Sequence, residues 1–214
     1  MISKRHKTIF VHIPKTAGQS VELVYLEDLG LKWRSILPWK NRSRLKLRRN
    51  IFRSRGPDRL AHLYAWEYVG RGHISAEDFE KFYKFAVVRD PYDRAVSEYN
   101  YRKRATGTLR DFFHSFTKDE MNDYRRHIVP QAYYVTEEAN GKGDIIVDKI
   151  IKFESLNDEL QDVFEKTLGR PHSLPKKNAP NEKTLDAKTL SREDTDYLSE
   201  LYERDFAMFG YATR

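Results

Sequence analysis

The sequence predicts an α/β fold with a mainly parallel central sheet. Three short apolar runs rich in β-branched residues, 8–13, 84–88 and 144–153, have the length and composition of buried strands. A segment whose apolar residues have helical spacing follows each run. Strands that alternate with helices are typical of a parallel sheet whose binding loops lie at the carboxyl ends of its strands.

A short turn of small residues joins the first strand to the first helix. The strand 8–13 ends at Pro14, and a helix is predicted from Ser20 with Gly30 at its end. Residues 15–19 form the turn between them. A strand, a glycine-containing turn and a helix in this order place a phosphate group at the helix N-terminus.

A short acidic helix is predicted before the second strand. It covers residues 75–82, with Ser75 as its N-cap. The buried strand 84–88 follows, and residues 89–91 break it because they include a proline. A helix is predicted next, over residues 92–101.

The last third of the chain contains the third strand and two further helices. The strand 144–153 precedes a helix over residues 156–168, which Gly169 terminates. Residues 170–190 are polar and are predicted to form a loop near a surface or a site. The final helix is predicted over residues 191–206, with acidic residues in its first turn.

Length and composition predict a single domain over residues 1–214. The chain has 214 residues, of which 39% are hydrophobic, and single domains mostly contain about 100–200 residues. It has no cysteine, which excludes a disulfide framework, a thiolate zinc site and a cysteine nucleophile. No apolar run is long enough for a signal peptide or a membrane span. If the sequence is complete, we expect a cytoplasmic protein.

The net charge of +7 is concentrated in one block, residues 32–59. This basic block contains eleven Lys or Arg residues and one acidic residue, Asp58. It is interpreted either as a solvated loop or insertion, or as a surface that attracts an anionic partner such as an acidic glycan, a nucleic acid or lipid headgroups. The sequence leaves both interpretations open.

The first motif that carries chemistry is residues 12–20, His-Ile-Pro-Lys-Thr-Ala-Gly-Gln-Ser. Small residues let backbone N–H groups approach an anion, and the helix dipole adds a favourable potential. The Walker A pattern G-x-x-x-x-G-K-[ST] is absent. The alternative to an anion-binding site is an ordinary strand–turn–helix connection with an exposed lysine. The predicted anion-binding residues are Lys15, Thr16, Ala17, Gly18, Gln19 and Ser20.

The second motif, residues 85–99, begins in the second strand. Arg89 stands at the end of this strand, where a guanidinium group can form a bidentate contact with a phosphate. Ser97 follows two helical turns later and could reach the same anion. The alternative is a buried Arg–Asp pair.

Together the two motifs resemble those of the PAPS-dependent sulfotransferase superfamily. The first is similar to the family's 5′-phosphosulfate loop, of the form PKTAGTS, and the second to its 3′-phosphate segment, of the form VRNPxDRxxSxY. The start HIPKTAG is similar to the carbohydrate-directed, heparan 2-O-like branch. Residues 61–65, 147–156 and 205–211 extend the similarity to nearly the whole chain apart from the basic block.

The resemblance implies a three-layer α/β sandwich with a P-loop-NTPase-like sulfotransferase fold. It also implies PAPS as the donor, 3′,5′-ADP as the product, no metal, and a carbohydrate acceptor that could be anionic; a nucleic acid partner is not expected. Lys15 would stabilise the charge that develops on the leaving phosphate. His62 matches the family's histidine and is the candidate catalytic base, with Glu67 and Glu154 as alternatives.

Two residues depart from the family pattern. Gln19 replaces a Thr or Ser of the phosphosulfate loop, which exchanges a hydroxyl donor for an amide donor. Asp90 replaces a more common Asn, and we expect it to pair with Arg89 or Arg94.

Acceptor contacts are predicted from a basic and aromatic segment. Aromatic faces and bidentate donors suit a sugar, although an amphipathic helix with a solvated face explains the pattern equally well. The candidate acceptor-binding residues are Arg125, Arg126, His127 and Gln131. Lys177 and Asn178 lie where the family often closes over the nucleotide, and they complete the predicted nucleotide site.

Two other functions remain compatible with these patterns. A P-loop-type nucleotide kinase uses the same order of strand, turn and helix, and it would need Mg²⁺ and ATP. A non-catalytic module could instead use the basic block to bind a polyanion, with salt-sensitive affinity and no turnover.

Overall fold

The computed structural model describes residues 1–31, 60–102, 108–119, 121–175 and 185–214. The basic block 32–59 lies outside the described residues, and so do Lys177 and Asn178, whose predicted contacts therefore stay predictions. Among the described residues, we find no helix that combines the length and the apolar character required to span a bilayer.

The sheet has four strands in the described part of the chain, and their order in space is also their order in sequence. The strand β1 pairs antiparallel with β2, whereas β2 pairs parallel with β3 and β3 pairs parallel with β4. The prediction of an α/β fold with a mainly parallel sheet is therefore confirmed. The strands are β1 (Ile2–Ser3), β2 (Thr8–Val11), β3 (Tyr83–Val88) and β4 (Lys149–Lys152).

Helices surround this sheet and carry most of the remaining described residues. Short 3₁₀ helices cover residues 60–62, 153–155 and 187–189. The α-helices are α1 (Gly18–Asp28), α2 (Glu67–Gly70), α3 (Ala76–Lys81), α4 (Pro91–Arg102), α5 (Leu109–His114), α6 (Asp123–Arg126), α7 (Ala132–Val135), α8 (Leu156–Leu168), α9 (Arg192–Leu201) and α10 (Glu203–Phe209).

Both faces of the sheet are covered by apolar side chains. Successive residues of a strand point to opposite faces, and the side chains of β2 divide accordingly. Ile9 and Val11 belong to one buried cluster, whereas Phe10 belongs to another. In β3, Ala86 joins the cluster of Ile9, and Val87 joins the cluster of Phe10. Burial on both faces explains why these strands read as continuous apolar runs.

Capping residues define several of the predicted helix ends. The hydroxyl of Ser75 accepts a hydrogen bond from the backbone N–H of Asp78 at the start of α3. Ser191 accepts one from Asp194 at the start of α9, and Gly169 ends α8 in a left-handed conformation with φ of 75°. Each cap satisfies a backbone group that the helix leaves unpaired.

The C-terminal helix differs from its prediction. Instead of one helix over residues 191–206, the chain forms α9 and α10 with a break at Tyr202. The Tyr202 hydroxyl is buried and donates a 2.8 Å hydrogen bond to the carbonyl of Ile128. Beyond the break, Asp205 is buried and accepts hydrogen bonds from the backbone N–H groups of Gln131 and Ala132, at the start of α7. Helical periodicity carries no information about these distant partners.

Candidate functional site

A cavity of about 730 Å³ opens at the carboxyl ends of β2, β3 and β4. This is the position at which parallel α/β sheets bind their ligands. The residues that follow each of the three strands contribute to its lining, and so does α4. Of the residues proposed from the sequence, the cavity is lined by Lys15, Ala17, Gly18, Gln19, Ser20, His62, Arg89, Ser97, His127 and Glu154.

The turn after β2 presents its backbone to the cavity. Lys15 and Ala17 have positive φ angles of 71° and 64°, and Gly18 begins α1. A left-handed residue followed by a helical one turns consecutive N–H groups to the same side, which suits an anion. Thr16 differs from its prediction, because its hydroxyl is buried and donates to the carbonyl of Ile13 at 2.8 Å. The side chain of Thr16 therefore stabilises the turn.

Gly18 is required by the histidine that precedes the turn. A Cβ atom at position 18 would lie 2.0 Å from Cδ2 of His12. The ring of His12 is buried, and its Nδ1 lies 3.0 Å from Oε1 of Glu22 in α1. The ring of His12 is therefore packed against the start of α1 and hydrogen-bonded to it.

Lys15 contributes a cationic group from within the turn. Its Nζ lies 3.8 Å from the centroid of the Tyr101 ring, a geometry in which the cation is attracted to the aromatic face. Burial lowers the pKa of Lys15 to about 8, with Glu98 acting against this shift and Arg89 and Arg102 reinforcing it. Lys15 therefore loses its charge in mildly alkaline solution.

Arg89 is held at the end of β3 through its backbone and its side chain. Its N–H donates to Oε1 of Gln131 at 2.9 Å, and its carbonyl accepts from Nε2 of Gln131 at 2.8 Å. Its guanidinium lies 4.4 Å from the centroid of the Phe153 ring and donates to the carbonyl of Lys15 at 3.4 Å. The guanidinium thus lies beside the turn after β2.

The expectation that Asp90 pairs with Arg89 or Arg94 is wrong. Oδ1 of Asp90 accepts hydrogen bonds from the backbone N–H groups of Tyr92 at 2.9 Å and Asp93 at 3.1 Å. The carboxylate therefore caps the first turn of α4 instead of pairing with an arginine. Arg94, the other expected partner, is buried and donates to the carbonyls of Pro14, His127 and Val129.

His62 lies on one wall of the cavity, at the end of a 3₁₀ helix. Its Nδ1 is 2.6 Å from Oδ1 of Asp123. Two other histidine rings contact it edge to face, His12 with a centroid distance of 5.0 Å and His127 with one of 4.8 Å. Burial lowers the pKa of His62 to about 3, against the effect of the hydrogen bond that its ring donates to Asp123. His62 is therefore neutral at physiological pH.

His127 lies between two carboxylates. Its Nδ1 is 2.9 Å from Oε2 of Glu98, and its Nε2 is 3.6 Å from Oδ2 of Asp123. Burial acts to lower the pKa of His127, but the neighbouring carboxylates of Asp123 and Glu98 outweigh it and raise that pKa. Burial acts to raise the pKa of Asp123, but the neighbouring rings of His127 and His62 instead hold that pKa well below its usual range.

Two of the predicted acceptor-binding residues are buried and form hydrogen bonds with other protein groups. Arg126 is buried and forms two hydrogen bonds with the carboxylate of Glu67, and it also donates to the carbonyl of His62. Gln131 is buried and joins Arg89 to Asp205. Since their polar groups are occupied, we interpret both residues as structural supports. Arg125 is half-buried and does not line the cavity.

The alternative bases have partners as well. Glu67 is fully buried, with Arg71 and Arg126 on its carboxylate. Glu154 lines the cavity, accepts from the hydroxyl of Tyr211 at 2.8 Å and accepts from the backbone N–H of Asp90 at 2.9 Å. His62 is therefore the better candidate.

One group of described side chains has the composition of a metal site. His62, Asp123 and His127 each offer one donor atom, and these atoms lie within 4.8 Å of one another. Two imidazoles and a carboxylate suit zinc or iron. The 2.6 Å separation of His62 Nδ1 and Asp123 Oδ1 is the length of a strong hydrogen bond, in which a proton occupies the space that a metal would need.

The sequence interpretation missed the carboxylates that support the histidines. Glu98 lies next to Ser97 in α4, on the turn that faces His127. Asp123 and His127 are four residues apart, the spacing that brings two side chains together on a helix. That spacing was the one available signal, and it does not indicate that both side chains would be buried.

Comparisons with known proteins identify a family. The family model described as the sulfotransferase family matches residues 1–212. A search of curated proteins and a search of solved structures found no match.

Proposed function

We propose that this chain, which belongs to the sulfotransferase family, transfers a sulfuryl group from PAPS to a hydroxyl group of a carbohydrate, with 3′,5′-ADP as the other product. One observation carries this proposal. Lys15, Arg89 and His62 come from three distant parts of the chain, yet all three line one cavity. Their chemistry matches the needs of an anionic donor and of a hydroxyl nucleophile.

The donor half of the cavity would bind the two charged ends of PAPS. The N–H groups at the start of α1 and the ammonium of Lys15 would hold the 5′-phosphosulfate. The guanidinium of Arg89 and the hydroxyl of Ser97 would hold the 3′-phosphate. The approach of Arg89 to the carbonyl of Lys15, at 3.4 Å, supports the assignment of both groups to one nucleotide.

The transfer step would resemble phosphoryl transfer. The acceptor oxygen forms a bond to sulfur while the bond between sulfur and the bridging phosphate oxygen breaks. Negative charge then develops on that bridging oxygen, where Lys15 would stabilise it. The hydroxyl proton passes to His62, whose low pKa keeps its imidazole unprotonated before the reaction.

The carbohydrate class of the acceptor is supported by the HIPKTAG motif and by the charge of the chain. Of the four candidate acceptor-binding residues, His127 lines the cavity and Arg125 is half-buried. These two remain proposed contacts. An acidic glycan would also be attracted by the eleven basic residues of the basic block.

Calorimetry with 3′,5′-ADP and with ATP, both without metal, tests the donor assignment. We expect the native protein to bind 3′,5′-ADP in preference to ATP. Arg89→Ala should weaken this binding roughly 10–100-fold, because a charge-assisted hydrogen bond contributes about 1.5–3 kcal/mol. Arg192→Ala, at a side chain that is 95% exposed, is the matched control and should leave the affinity unchanged.

Two outcomes would contradict the proposal. Indifference of the native protein to 3′,5′-ADP would remove the donor assignment. A parallel titration with ATP and Mg²⁺ gives the second outcome: binding of ATP that requires Mg²⁺ would instead favour a nucleotide phosphotransferase, since that chemistry needs the metal.

A further inference from the structure

Four buried side chains form a continuous row beside the cavity. The row runs from Glu98 in α4 to His127 at the end of α6, then to Asp123 at the start of α6, and finally to His62. All four residues are at most 7% exposed. Charged and polar groups are this deeply buried only when their partners compensate for the loss of water.

The hydrogen-bonding capacity of these groups fixes where the protons are. An ionised carboxylate can only accept hydrogen bonds, and a neutral imidazole has one N–H donor and one acceptor nitrogen. Asp123 is 2.6 Å from Nδ1 of His62, so that nitrogen must carry the proton. The lone pair of His62 is then on Nε2.

His127 faces a carboxylate with each of its nitrogens. Glu98 is 2.9 Å from Nδ1, and Asp123 is 3.6 Å from Nε2. The 2.9 Å contact with Glu98 requires a proton on Nδ1, whereas the 3.6 Å separation of Nε2 and Asp123 is that of an ion pair and not of a hydrogen bond. Burial disfavours the charged ring, but the two carboxylates beside it outweigh burial and raise the pKa of His127, which favours the imidazolium ion. Arg102, which donates to Glu98 at 2.6 Å, adds a second positive charge at that end of the row. The two carboxylates are thus matched by two cations.

We propose that Asp123, supported by the imidazolium of His127, is a positioning residue that fixes His62 in the tautomer with Nε2 available as the base. This inference rests on the proposed function, because a base is needed only if a hydroxyl group is to be activated. His12 and Arg126 also contact His62, through its ring and its carbonyl respectively. Neither of these two residues offers a carboxylate to its Nδ1.

The row also determines what happens to the transferred proton. When His62 Nε2 accepts the proton of the acceptor hydroxyl, the ring becomes an imidazolium ion. Its new charge lies 2.6 Å from the carboxylate of Asp123, which stabilises it at that moment. Asp123 itself stays ionised, because the pKa of its carboxyl is held low by His127 and His62. No proton has to move along the row.

The tautomers can be measured without substrate. The native protein would be labelled with ¹⁵N in its seven histidines, and long-range ¹H–¹⁵N spectra at pH 7 would distinguish the ring nitrogens. His62→Gln and His127→Gln would assign the signals. We expect His62 to be neutral with its proton on Nδ1, and His127 to be protonated on both nitrogens. A proton on Nε2 of His62, or a mixture of tautomers, would overturn the proposal.

The effect on turnover distinguishes positioning from a general structural role. Asp123→Asn keeps the size of the side chain but removes its charge. We expect kcat with PAPS to fall roughly 10²–10⁴-fold, the usual range for losing a general base, while 3′,5′-ADP affinity stays within about twofold. Asp196→Asn, at a side chain that is 70% exposed, removes the same charge and should change neither value.

A double variant completes the test. If Asp123 acts through His62, then Asp123→Asn combined with His62→Ala should be no slower than His62→Ala alone. An additional loss in the double variant would overturn the proposal, and so would loss of activity in a chelator, because the side chains would then be metal ligands. Failure of the native protein to bind 3′,5′-ADP would reject the proposed function but would leave the tautomer measurement valid.

Discussion

The charge of Lys15, in the donor half of the cavity, depends on pH in the range used for enzyme assays. Burial lowers its pKa to about 8, and the proposed mechanism needs its ammonium form. We therefore expect kcat/KM for PAPS to fall as the pH rises through about 8, because kcat/KM follows the ionisation of the free enzyme. Initial rates between about pH 6 and pH 10 would measure this alkaline limb.

Two variants check that the limb belongs to Lys15. Lys15→Arg keeps a positive charge throughout this range, so its remaining activity should show no limb near pH 8. Glu98→Gln removes a carboxylate that raises the pKa of Lys15, so it should move the limb to lower pH. An unchanged limb in both variants would assign it to another group.

At the scale of residues, the location of a side chain is easier to predict from the sequence when the side chain belongs to a local motif. It is harder to predict when the location depends on a partner that is distant in the chain. Lys15 and Arg89 follow the ends of two neighbouring strands, which fixes their positions, and both line the cavity. Arg126 and Gln131 have the same donor groups as a sugar-binding residue. Their partners, Glu67 and Asp205, are 59 and 74 residues away in the chain. Sequence spacing alone therefore could not show that they face the interior.

At the scale of elements, the close contact between the start of α1 and His12, which follows β2, depends on the absence of a side chain at position 18. A methyl group there would lie 2.0 Å from the buried ring of His12. We expect Gly18→Ala to destabilise the protein by about 1–3 kcal/mol, the usual cost of overpacking. For a chain of this length the midpoint of thermal unfolding should fall by roughly 2–12 °C.

Gly70→Ala is the matched control for this change. A Cβ atom at position 70 would lie 3.5 Å from the Trp66 ring, which is ordinary contact. Gly70 ends the short helix α2, and its substitution should shift the unfolding midpoint little. Equal midpoints for the two variants would contradict the inferred clash with His12.

The elements were predictable in proportion to their length and their local signals. The helix α8 has thirteen residues, an amphipathic pattern and a terminal glycine, and it was predicted with its observed ends. The strand β1 has only two residues, which is too short to show a period. The helices α5, α6 and α7 have four to six residues, which is also below the length at which periodicity is informative.

At the scale of the whole molecule, the nucleotide side of the cavity is tied to the C-terminal helices. Gln131 holds both backbone groups of Arg89, and Asp205 in α10 accepts from the backbone and side chain of Gln131. The end of β3 is thus connected to α10 through buried hydrogen bonds. A ligand that binds the folded state also raises the stability of the whole chain, so binding at Arg89 should be visible in thermal unfolding.

Thermal unfolding with two related nucleotides tests the proposed contact between the protein and the 3′-phosphate. A ligand at about 100 times its Kd stabilises the folded state by roughly 2.7 kcal/mol, which corresponds to about 5–11 °C for a chain of this size. We expect 3′,5′-ADP to produce such a shift. Adenosine 5′-monophosphate, which lacks the 3′-phosphate, should produce a smaller shift at the same concentration.

The variant Arg89→Ala converts this comparison into a test of one contact. If the guanidinium binds the 3′-phosphate, its removal should reduce the shift with 3′,5′-ADP and leave the shift with adenosine 5′-monophosphate nearly unchanged. The two nucleotides should then stabilise the variant to a similar extent. Equal shifts in the native protein would mean that the 3′-phosphate makes no contact, and the proposed orientation of PAPS in the cavity would have to be abandoned.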